Sequence, residues 1–348
     1  MAIGAVALVV LAVVAEALRQ GADAKRLSGP TLRQLGVKRG VVIGTAVRGD
    51  VWQHNKAYRQ LIGEQFGSVT PENEMKWAVI EPERGTFEFK AADEIVAAAE
   101  QAKQEVRGHT LVWHNQLPGW VSGLDAKDLR AATAAHIRRV MGHYRGRIAI
   151  WDVVNEALTD LGGLRRSPFL KLGRDYIAWA FGIAHGADPK ARLHINEVGA
   201  DGINAKSDRL YEIVRSLKAR GVPIDGVGLQ MHVNLAGVPP TFVDNMRRFA
   251  ALGVELSITE ADVGLRLPPS AADLRAQARV YATIVRGCLA VSACKTLTFW
   301  GYTDGRSWIS ETQPGMGAAT LLDKELRPKP AFRAVQRALE AGQPARTP

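Results

Sequence analysis

Two glutamates, Glu156 and Glu260, occupy similar positions in the chain. Each follows a short apolar and β-branched run, Ile148 to Val154 and Glu255 to Thr259, that we interpret as a strand. Two facing carboxyl groups suit hydrolysis of a glycosidic bond, in which one protonates the departing oxygen and the other attacks the anomeric carbon or directs water to it. For either glutamate alone, a structural ion pair at the end of a strand is the alternative interpretation.

Polar neighbours could support these roles. Asn155 precedes Glu156 and offers a neutral donor for a sugar hydroxyl. His232 and Asp262 could form a hydrogen-bonded chain that keeps Glu260 ionised, while Glu156 carries the proton.

Histidines near acidic residues also permit a metal-hydrolase interpretation. The histidines concerned are His109, His114 and His232. Barrel metallohydrolases commonly carry His-x-His at the end of their first strand, but here that strand contains Gly44-Thr45-Ala46, and the chain has no HExxH motif. We therefore expect neither a metal nor another cofactor.

Tryptophan side chains could form flat platforms for the apolar faces of pyranose rings. The candidates are Trp113, Trp120, Trp300 and Trp308. Core packing is the alternative, and for Trp120 it explains the residue at least as well. We place Trp308 in a loop with Gly305 and Ser307, where a binding role is favoured over packing.

Apolar and β-branched runs alternate with amphipathic stretches along the chain, which predicts a strand followed by a helix many times over. The predicted strands are Val41 to Val47, Ser68 to Thr70, Val106 to Leu111, Ile148 to Val154, Arg192 to Asn196, Gly226 to Gln230, Glu255 to Thr259 and Lys295 to Trp300. The main predicted helices are Ala91 to Lys103, Lys127 to Tyr144, Asp175 to His185, Ala205 to Arg220, Pro240 to Leu252 and Ala271 to Leu289. With no linker and no shift in composition, this favours a single (β/α)8 barrel of class α/β over two domains.

Such a barrel places its chemistry at the C-terminal ends of its strands. Polar and aromatic residues lie there in this chain: Glu72, Asn73, Lys76, His109, Trp113, His114, Gln116, Asn155, Glu156, Asn196, Glu197, Gln230, His232, Glu260, Asp262, Trp300 and Trp308. This repeated placement is more specific than any single motif.

The chain of 348 residues has a formal net charge of +10 and an isoelectric point near 9.7. Its basic residues are scattered in ones and twos, without a zinc-finger or RNP-type motif, so we expect no nucleic-acid partner. A solvated basic surface, which could be useful near acidic polysaccharide, is the better interpretation. If it favours such polymers, the preference should weaken in high salt.

The N-terminus is apolar from Ala2 to Ala15, and Ala15-Glu16-Ala17 has the small-x-small form of a signal-peptidase site. We predict an export segment over residues 1–30, a catalytic barrel over residues 31–342, and a secreted or periplasmic location. The run is short for a membrane span, so we expect no integral membrane domain. No Lys or Arg precedes the run, which leaves an uncleaved anchor or a misassigned start codon as alternatives.

Cys288 and Cys294 lie six residues apart and could close one small loop.

Several longer motifs resemble glycoside hydrolase family ten, the family of barrel xylanases. The matching motifs, in family order from about Leu32 to Leu339, are Thr70-Pro71-Glu72-Asn73-Glu74-Met75-Lys76-Trp77, Gly108-His109-Thr110-Leu111-Val112-Trp113-His114-Asn115-Gln116, Trp151-Asp152-Val153-Val154-Asn155-Glu156, Gln230-Met231-His232, Ile258-Thr259-Glu260-Ala261-Asp262, Thr298-Phe299-Trp300-Gly301, and Arg327-Pro328-Lys329-Pro330-Ala331-Phe332.

The resemblance implies a retaining endo-1,4-β-xylanase that acts on xylan and xylo-oligosaccharides. Glu156 matches the general acid/base and Glu260 the nucleophile, with His232 and Asp262 as the nucleophile's support. The substrate-binding positions implied are Glu72, Asn73, Lys76, His109, Trp113, Gln116, Asn155, Gln230, Trp300 and Trp308. It also implies a disulfide between Cys288 and Cys294, which strengthens the expectation of export.

Two departures from the family pattern are visible. Ala261 stands where the family usually has Leu, which could loosen packing behind the nucleophile. Val198 stands where the family often has a Tyr that stacks on the sugar beyond the cleaved bond, so we predict weaker binding on the leaving-group side.

The alternatives are a glycanase of mixed β-1,4 specificity and a non-catalytic carbohydrate-binding barrel. The second is disfavoured because both glutamates are present. We expect a monomer.

Overall fold

The computed structural model describes residue 27 and residues 29–341, and its centre is a closed barrel of parallel strands. The barrel strands are β1 (Val42–Val47), β2 (Ser68–Pro71), β3 (Glu105–Trp113), β4 (Ile150–Asn155), β5 (Arg192–Glu197), β6 (Gly226–Leu229), β8 (Glu255–Arg266) and β9 (Cys294–Phe299). Each pairs in parallel with the next, and β9 pairs with β1 to close the sheet. The predicted (β/α)8 barrel is confirmed.

Helices lie between successive strands in the chain. They are α1 (Leu32–Arg39), α2 (Gly49–His54), α3 (Lys56–Gln65), α4 (Trp77–Ile80), α5 (Lys90–Gln101), α6 (Gly119–Ser122), α7 (Ala126–His143), α8 (Tyr176–Ala187), α9 (Ala205–Ala219), α10 (Phe242–Ala250), α11 (Ala271–Leu289), α12 (Trp308–Thr312) and α13 (Pro330–Ala341), with 3-10 turns at Pro168–Leu172 and Asp304–Arg306. In α10, Phe242, Met246 and Phe249 are buried at positions i, i+4 and i+7, so one helix face enters the core.

The seventh predicted strand is longer in the structure than in the prediction, and two short strands outside the barrel pair with the extra part. The sequence predicts its end at Thr259, whereas β8 continues to Arg266. The extension is held by β7 (His232–Asn234), which pairs in parallel with it, and by β10 (Met316–Gly317), which pairs antiparallel near its end. Pairing of β7 with β8 sets His232 opposite Asp262. These partners are distant in the chain, so the local pattern did not reveal the extension.

A disulfide joins Cys288 at the end of α11 to Cys294 at the start of β9, and the expected bond is confirmed. Most of the predicted export segment, residues 1–30, lies outside the described residues, as does residue 342. Within the part of the chain that the structure describes, no helix combines the length and apolar character that a bilayer crossing needs.

Candidate active site

The backbone around the two glutamates is tied to neighbouring strands. Glu156 directly follows β4, and its N–H donates to the carbonyl of Asn196 on β5 at 2.9 Å. Glu260 lies within β8, and its N–H donates to the carbonyl of Gln230 at 3.0 Å. Glu156 has φ 53°, a left-handed value that is uncommon outside glycine and clusters at functional sites. Both carboxyl groups therefore start from fixed positions at the C-terminal end of the barrel.

Three buried amide side chains connect the two carboxyl groups. The Nδ2 of Asn196 donates to Oε1 of Glu260 at 2.7 Å and to Oδ1 of Asn155 at 2.9 Å. The Nε2 of Gln230 donates to the same Asn155 oxygen at 3.3 Å and to Oε1 of Glu156 at 3.2 Å. The bridge of amides fixes the glutamates relative to each other without adding charge.

Asn196 is central to this bridge, although sequence reasoning placed it only at a strand end and gave it no role. Thr259 donates its hydroxyl to the Asn196 Oδ1 at 2.7 Å, which orients the amide with its NH2 group toward Glu260. A Cβ at Gly228 would lie 2.2 Å from that Oδ1, so a glycine is needed for this close approach. The sequence does show an asparagine at a strand end, which is the one signal that could have identified Asn196. Its partners, however, lie 41 and 64 residues away in the chain, so a local pattern could not reveal its role.

His232 lies between two carboxylates. Its Nε2 is 3.4 Å from Oε2 of Glu260, and its Nδ1 is 2.9 Å from Oδ2 of Asp262. Burial disfavours the imidazolium, but the negative charges of Asp262 and Glu260 outweigh burial and raise the pKa of His232 well above its ordinary value. The two carboxylates therefore favour the protonated, imidazolium form of the ring.

The same contacts act on Glu260 in the opposite direction. Burial favours its neutral form, yet the contact with His232 and the positive charge of Lys76 outweigh burial, so the pKa of Glu260 is below its ordinary value. Glu260 is therefore held as a carboxylate, with an amide donor on one oxygen and an imidazolium beside the other.

Trp308 and Trp300 lie over this group. Trp308 is the first residue of α12, not part of a loop as expected, and its Nε1–H donates to Oδ2 of Asp262 at 2.7 Å. Its ring meets the His232 ring edge-on at 5.0 Å between centroids. The backbone N–H of Trp300 donates to the carbonyl of Ala261 at 3.1 Å, and the Trp300 ring meets that of His109 edge-on at 5.4 Å between centroids. The strand that carries Glu260 therefore holds the indole of Trp308 through Asp262 and the backbone of Trp300 through Ala261.

Cationic and carboxyl groups lie beyond β2. The Lys76 Nζ lies 4.4 Å from the centroid of the Trp113 ring, which is within cation–π range. Burial lowers the pKa of Lys76, an effect that the nearby carboxylates Glu260 and Glu72 oppose. Burial also raises the pKa of Glu72 to about 7, although Arg48 and Lys76 oppose that shift.

Asn73 and Gln116 are paired at the same end of the barrel. The Nε2 of Gln116 donates to Oδ1 of Asn73 at 3.2 Å, and both side chains keep further polar atoms for a ligand. Gln116 has φ 47°, a second left-handed non-glycine residue at this end.

His109 is oriented by an ion pair inside the barrel that sequence reasoning did not select. Its Nδ1 lies 3.0 Å from Oδ2 of Asp152, and the Nε of Arg107 donates to the same oxygen at 2.9 Å. Burial opposes ionisation of Asp152, but Arg107 and His109 outweigh it and hold its pKa well below the ordinary value. Asp152 therefore stays charged and fixes the ring plane of His109.

Glu197, which the sequence pattern placed at a strand end without a role, helps to hold the chain just after Glu156. The Oε2 of Glu197 accepts the N–H of Leu158 at 3.1 Å, and its Oε1 lies 3.2 Å from Nζ of Lys206. Arg165 donates to the carbonyls of Glu156 and Leu158 at 3.2 and 2.8 Å. Burial raises the pKa of Glu197 to about 7 against the opposing charge of Lys206. These groups fix the turn that carries Glu156.

The arrangement can carry out acid/base and nucleophilic chemistry on a glycoside. One carboxylate is kept ionised, a second carboxyl group is linked to it by neutral amides, and indole rings flank the pair. Among residues 29–341, no cluster of three or more His, Cys, Asp or Glu side chains has an arrangement that could hold a metal ion.

Comparison with known proteins gives consistent matches. A family model described as glycosyl hydrolase family 10 matches residues 31–338. Endo-1,4-beta-xylanase B of Thermotoga neapolitana is 40% identical over 316 residues, which cover 89% of this chain and 91% of that protein. Endo-1,4-beta-xylanase 1 of Humicola insolens is 40% identical over 318 residues, which cover 88% of this chain and 74% of that protein.

Solved structures agree with the sequence matches. The crystal structure of native xylanase 10B from Thermotoga maritima matches with a TM-score of 0.87 at 42% identity, covering 89% of this chain and 98% of that one. Xylanase 10B from Thermotoga petrophila RKU-1 in complex with xylobiose matches with a TM-score of 0.88 at 41% identity, covering 90% and 98%.

The closed barrel, with two glutamates linked across its C-terminal face, defines a glycoside hydrolase of the (β/α)8 class. Within that class, the chain belongs to glycosyl hydrolase family 10.

Proposed function

We propose that the protein is a retaining endo-1,4-β-xylanase that cleaves internal β-1,4-xylosidic bonds of xylan by double displacement. The observation that carries this proposal is the setting of Glu260, whose carboxylate is held ionised between the Asn196 amide and the His232 imidazolium. The relatives named as endo-1,4-beta-xylanases, and the related structure with bound xylobiose, support the choice of substrate.

In the first step, Oε2 or Oε1 of Glu260 attacks the anomeric carbon while the glycosidic bond breaks. Glu156 gives its proton to the departing oxygen, so the leaving sugar departs as an alcohol and a glycosyl ester remains on Glu260. The Asn196 amide and the His232 imidazolium hold the attacking carboxylate in place, which reduces the reorganisation that the step requires.

In the second step, Glu156 acts as a base. It removes a proton from water, the water oxygen bonds to the anomeric carbon, and the ester bond to Glu260 breaks. The carboxylate of Glu260 is restored and Glu156 is protonated again. Two inversions give net retention of the anomeric configuration.

Binding groups surround these two residues. We assign Asn155 and Gln230 to the sugar next to the cleaved bond, because both belong to the amide bridge between the glutamates. Polar groups at the ends of β2 and β3 bind hydroxyls of the preceding sugars, and these residues are Glu72, Asn73, Lys76, His109 and Gln116. Trp113, Trp300 and Trp308 form aromatic walls, whose bulk favours xylose because xylose lacks the hydroxymethyl group of glucose.

The location and state of the protein are further parts of the proposal. The apolar N-terminal run supports export to the periplasm or medium, and the Cys288–Cys294 disulfide suits an oxidising compartment. We expect a monomer without a nucleic-acid partner or a cofactor. Sequencing of the N-terminus of protein recovered from the medium and periplasm tests export, and light scattering tests the oligomeric state.

Reducing-sugar release from xylan and from carboxymethylcellulose, with chromatography of the products, tests the main proposal. We expect a series of xylo-oligosaccharides from xylan and little release from carboxymethylcellulose. Proton NMR of early product should show the β-anomer first. Equal release from both polymers would favour the mixed-specificity alternative, and initial release of the α-anomer would contradict retention.

A further inference from the structure

A groove on the outer wall of the barrel lies between α11 and α13. It has a volume of about 600 Å³ and is bordered by Arg275, Arg279, Arg286 and Arg337. Its floor consists of small apolar residues, among them Ala278, Ala282, Pro330, Ala334 and Ala338. We call it the arginine groove. It is distinct from the candidate active site, because none of the residues of that site lines it.

The positive charges of the groove have no counter-charge among the described residues. Arg286 donates to the hydroxyl of Thr283 at 3.2 Å, and none of the four guanidinium groups forms an ion pair with a residue in the range 29–341. None of the described residues that line the groove is acidic. Like charges four residues apart on a helix, as at Arg275 and Arg279, destabilise it. Elsewhere on this surface arginines commonly pair, as Arg147 does with Glu100. An anion in the groove would relieve the repulsion.

The spacing of the arginines fits a linear anion. At 1.5 Å per residue, Arg275 and Arg286 lie about 16 Å apart along α11. Arg279 lies between them and Arg337 faces them from α13. A row of this length exceeds the reach of one small anion and suits a chain with several acidic groups.

The chemistry of the lining selects among polyanions. Planar guanidinium groups bind carboxylates through bidentate hydrogen bonds. Within the part of the chain that the structure describes, the lining contains no aromatic ring on which a nucleic-acid base could stack. It also contains no large apolar side chain that could insert into a lipid surface. The alanine and proline side chains between the arginines are small, so a sugar chain has room to lie against the helices.

We propose that the arginine groove binds a uronate-bearing polysaccharide chain, in particular the acidic side groups of xylan. This proposal rests on the proposed function only for the identity of the polymer backbone. The groove then holds charged substrate on the outer wall of the same barrel that cleaves it. It also gives the preference for acidic polysaccharide, which the net charge suggested, a specific site.

Binding is measured in the full chain carrying Glu260→Gln, which prevents cleavage. The probes are glucuronate-substituted xylan and the same xylan after reduction of its carboxyl groups. Arg279→Glu with Arg337→Glu reverses two charges of the groove. The matched control is Arg138→Glu with Arg145→Glu, two exposed arginines on and just after α7 that have no ion pair among the described residues. Thermal melts check that all variants fold, and Arg279→Gln with Arg337→Gln serves if reversal disturbs folding.

We expect the acidic xylan to bind at least about tenfold more weakly to the groove variant, because several charge pairs are lost together. The control and the carboxyl-reduced xylan should show little change, and the difference should shrink in high salt. Equal weakening in the groove and control variants would show a diffuse charge effect and overturn the proposal. So would unchanged binding, or groove-dependent binding of phosphatidylglycerol vesicles or duplex DNA without binding of acidic xylan.

A second assay separates failure of this proposal from failure of the proposed function. In the otherwise unaltered enzyme, the groove variant should hydrolyse neutral xylo-oligosaccharides at the normal rate, while its KM for glucuronate-substituted xylan rises. Loss of activity on neutral oligosaccharides in every protein, including the unaltered one, would contradict the proposed function and leave the binding result to decide on the groove.

Discussion

Trp308 donates its indole N–H to Oδ2 of Asp262 at 2.7 Å, so an aromatic wall of the cleft is joined directly to the support of the nucleophile. The same Asp262 oxygen lies 2.9 Å from Nδ1 of His232, which in turn faces Glu260. A change in Trp308 therefore reaches the reacting carboxylate through three contacts in series, in addition to any effect on sugar binding.

The first prediction separates these two roles of Trp308. Trp308→Phe keeps an aromatic wall and removes the N–H donor. A hydrogen bond to a charged group contributes about 1.5–3 kcal/mol. If about half of that energy stabilises the transition state, removing the bond should lower kcat by about tenfold. The matched control is Trp113→Phe, because the Trp113 Nε1 has no hydrogen-bond partner in the described structure. Steady-state kinetics on xylohexaose should show a larger fall in kcat for Trp308→Phe. Equal falls in kcat for the two variants would refute the coupling.

The second prediction concerns the division of labour between the glutamates. Glu260→Ala should abolish turnover of every substrate, because no ester can form. Glu156→Ala should lower kcat on xylan by about 10²–10⁴, the usual contribution of general acid/base catalysis. On an aryl xylobioside with a good leaving group, it should spare the first step and leave a burst of phenol before slow hydrolysis of the ester. Stopped-flow absorbance detects that burst. Equal loss on both substrates would contradict the assignment of Glu156.

The third prediction concerns Arg165, which we treat as a positioning residue because it donates to the carbonyls of Glu156 and Leu158. Arg165→Gln should loosen the left-handed turn at Glu156 and misplace its carboxyl group. We expect kcat on xylan to fall about tenfold, with a much smaller effect on an activated aryl xylobioside, which needs less acid assistance. The neighbouring exposed Arg166→Gln is the control, since Arg166 has no hydrogen bond in the described structure. A uniform loss on both substrates would indicate general misfolding instead.

The fourth prediction follows from Glu72, whose pKa rises from 4.5 to about 7 on burial. Between these two values the folded protein holds a proton that the unfolded chain releases, so the free energy of unfolding falls as pH rises through this window. Glu72→Gln cannot titrate. Its unfolding free energy should therefore decline less than that of the parent between pH 5 and pH 8, by about 1–3 kcal/mol. Urea denaturation at both pH values measures this, with the exposed Glu88→Gln as control. Parallel declines in the parent and in Glu72→Gln would refute the buried proton.

Much of the fold and part of the site follow from local sequence pattern. Alternation of β-branched runs with amphipathic stretches predicts the barrel, and the barrel then gathers Glu156, Glu260, His232 and Asp262 at one end. These residues are visible because each lies within or next to a strand, and because a known chemistry needs carboxyl pairs with polar support.

The remaining site contacts join residues that are far apart in the chain, and a local sequence pattern does not show which of them meet in the fold. Asn196 reaches Glu260 across 64 residues and only because Gly228 leaves space. The pairing of Arg107 with Asp152 lies inside the barrel, where an ion pair is not expected from apolar strand patterns. Trp308 begins a helix of only five residues, and the neighbouring Gly305 and Ser307 indicated a loop.

The fifth prediction addresses Val198, which follows Glu197 at the end of β5, where the family often has a tyrosine. A branched aliphatic side chain cannot stack on a sugar ring, so we expect weak binding on the leaving-group side. Val198→Tyr should lower KM for xylohexaose by a few-fold, since an aromatic contact contributes about 0.5–1.5 kcal/mol. It should leave KM for β-xylobiosyl fluoride unchanged, because the fluoride leaving group places no ring on the leaving side. Val198→Leu adds apolar volume without a flat face and serves as control. If Val198→Leu improved KM as much as Val198→Tyr, added volume and not stacking would be the cause, and unchanged KM in both variants would show that sugar binding on this side does not depend on residue 198.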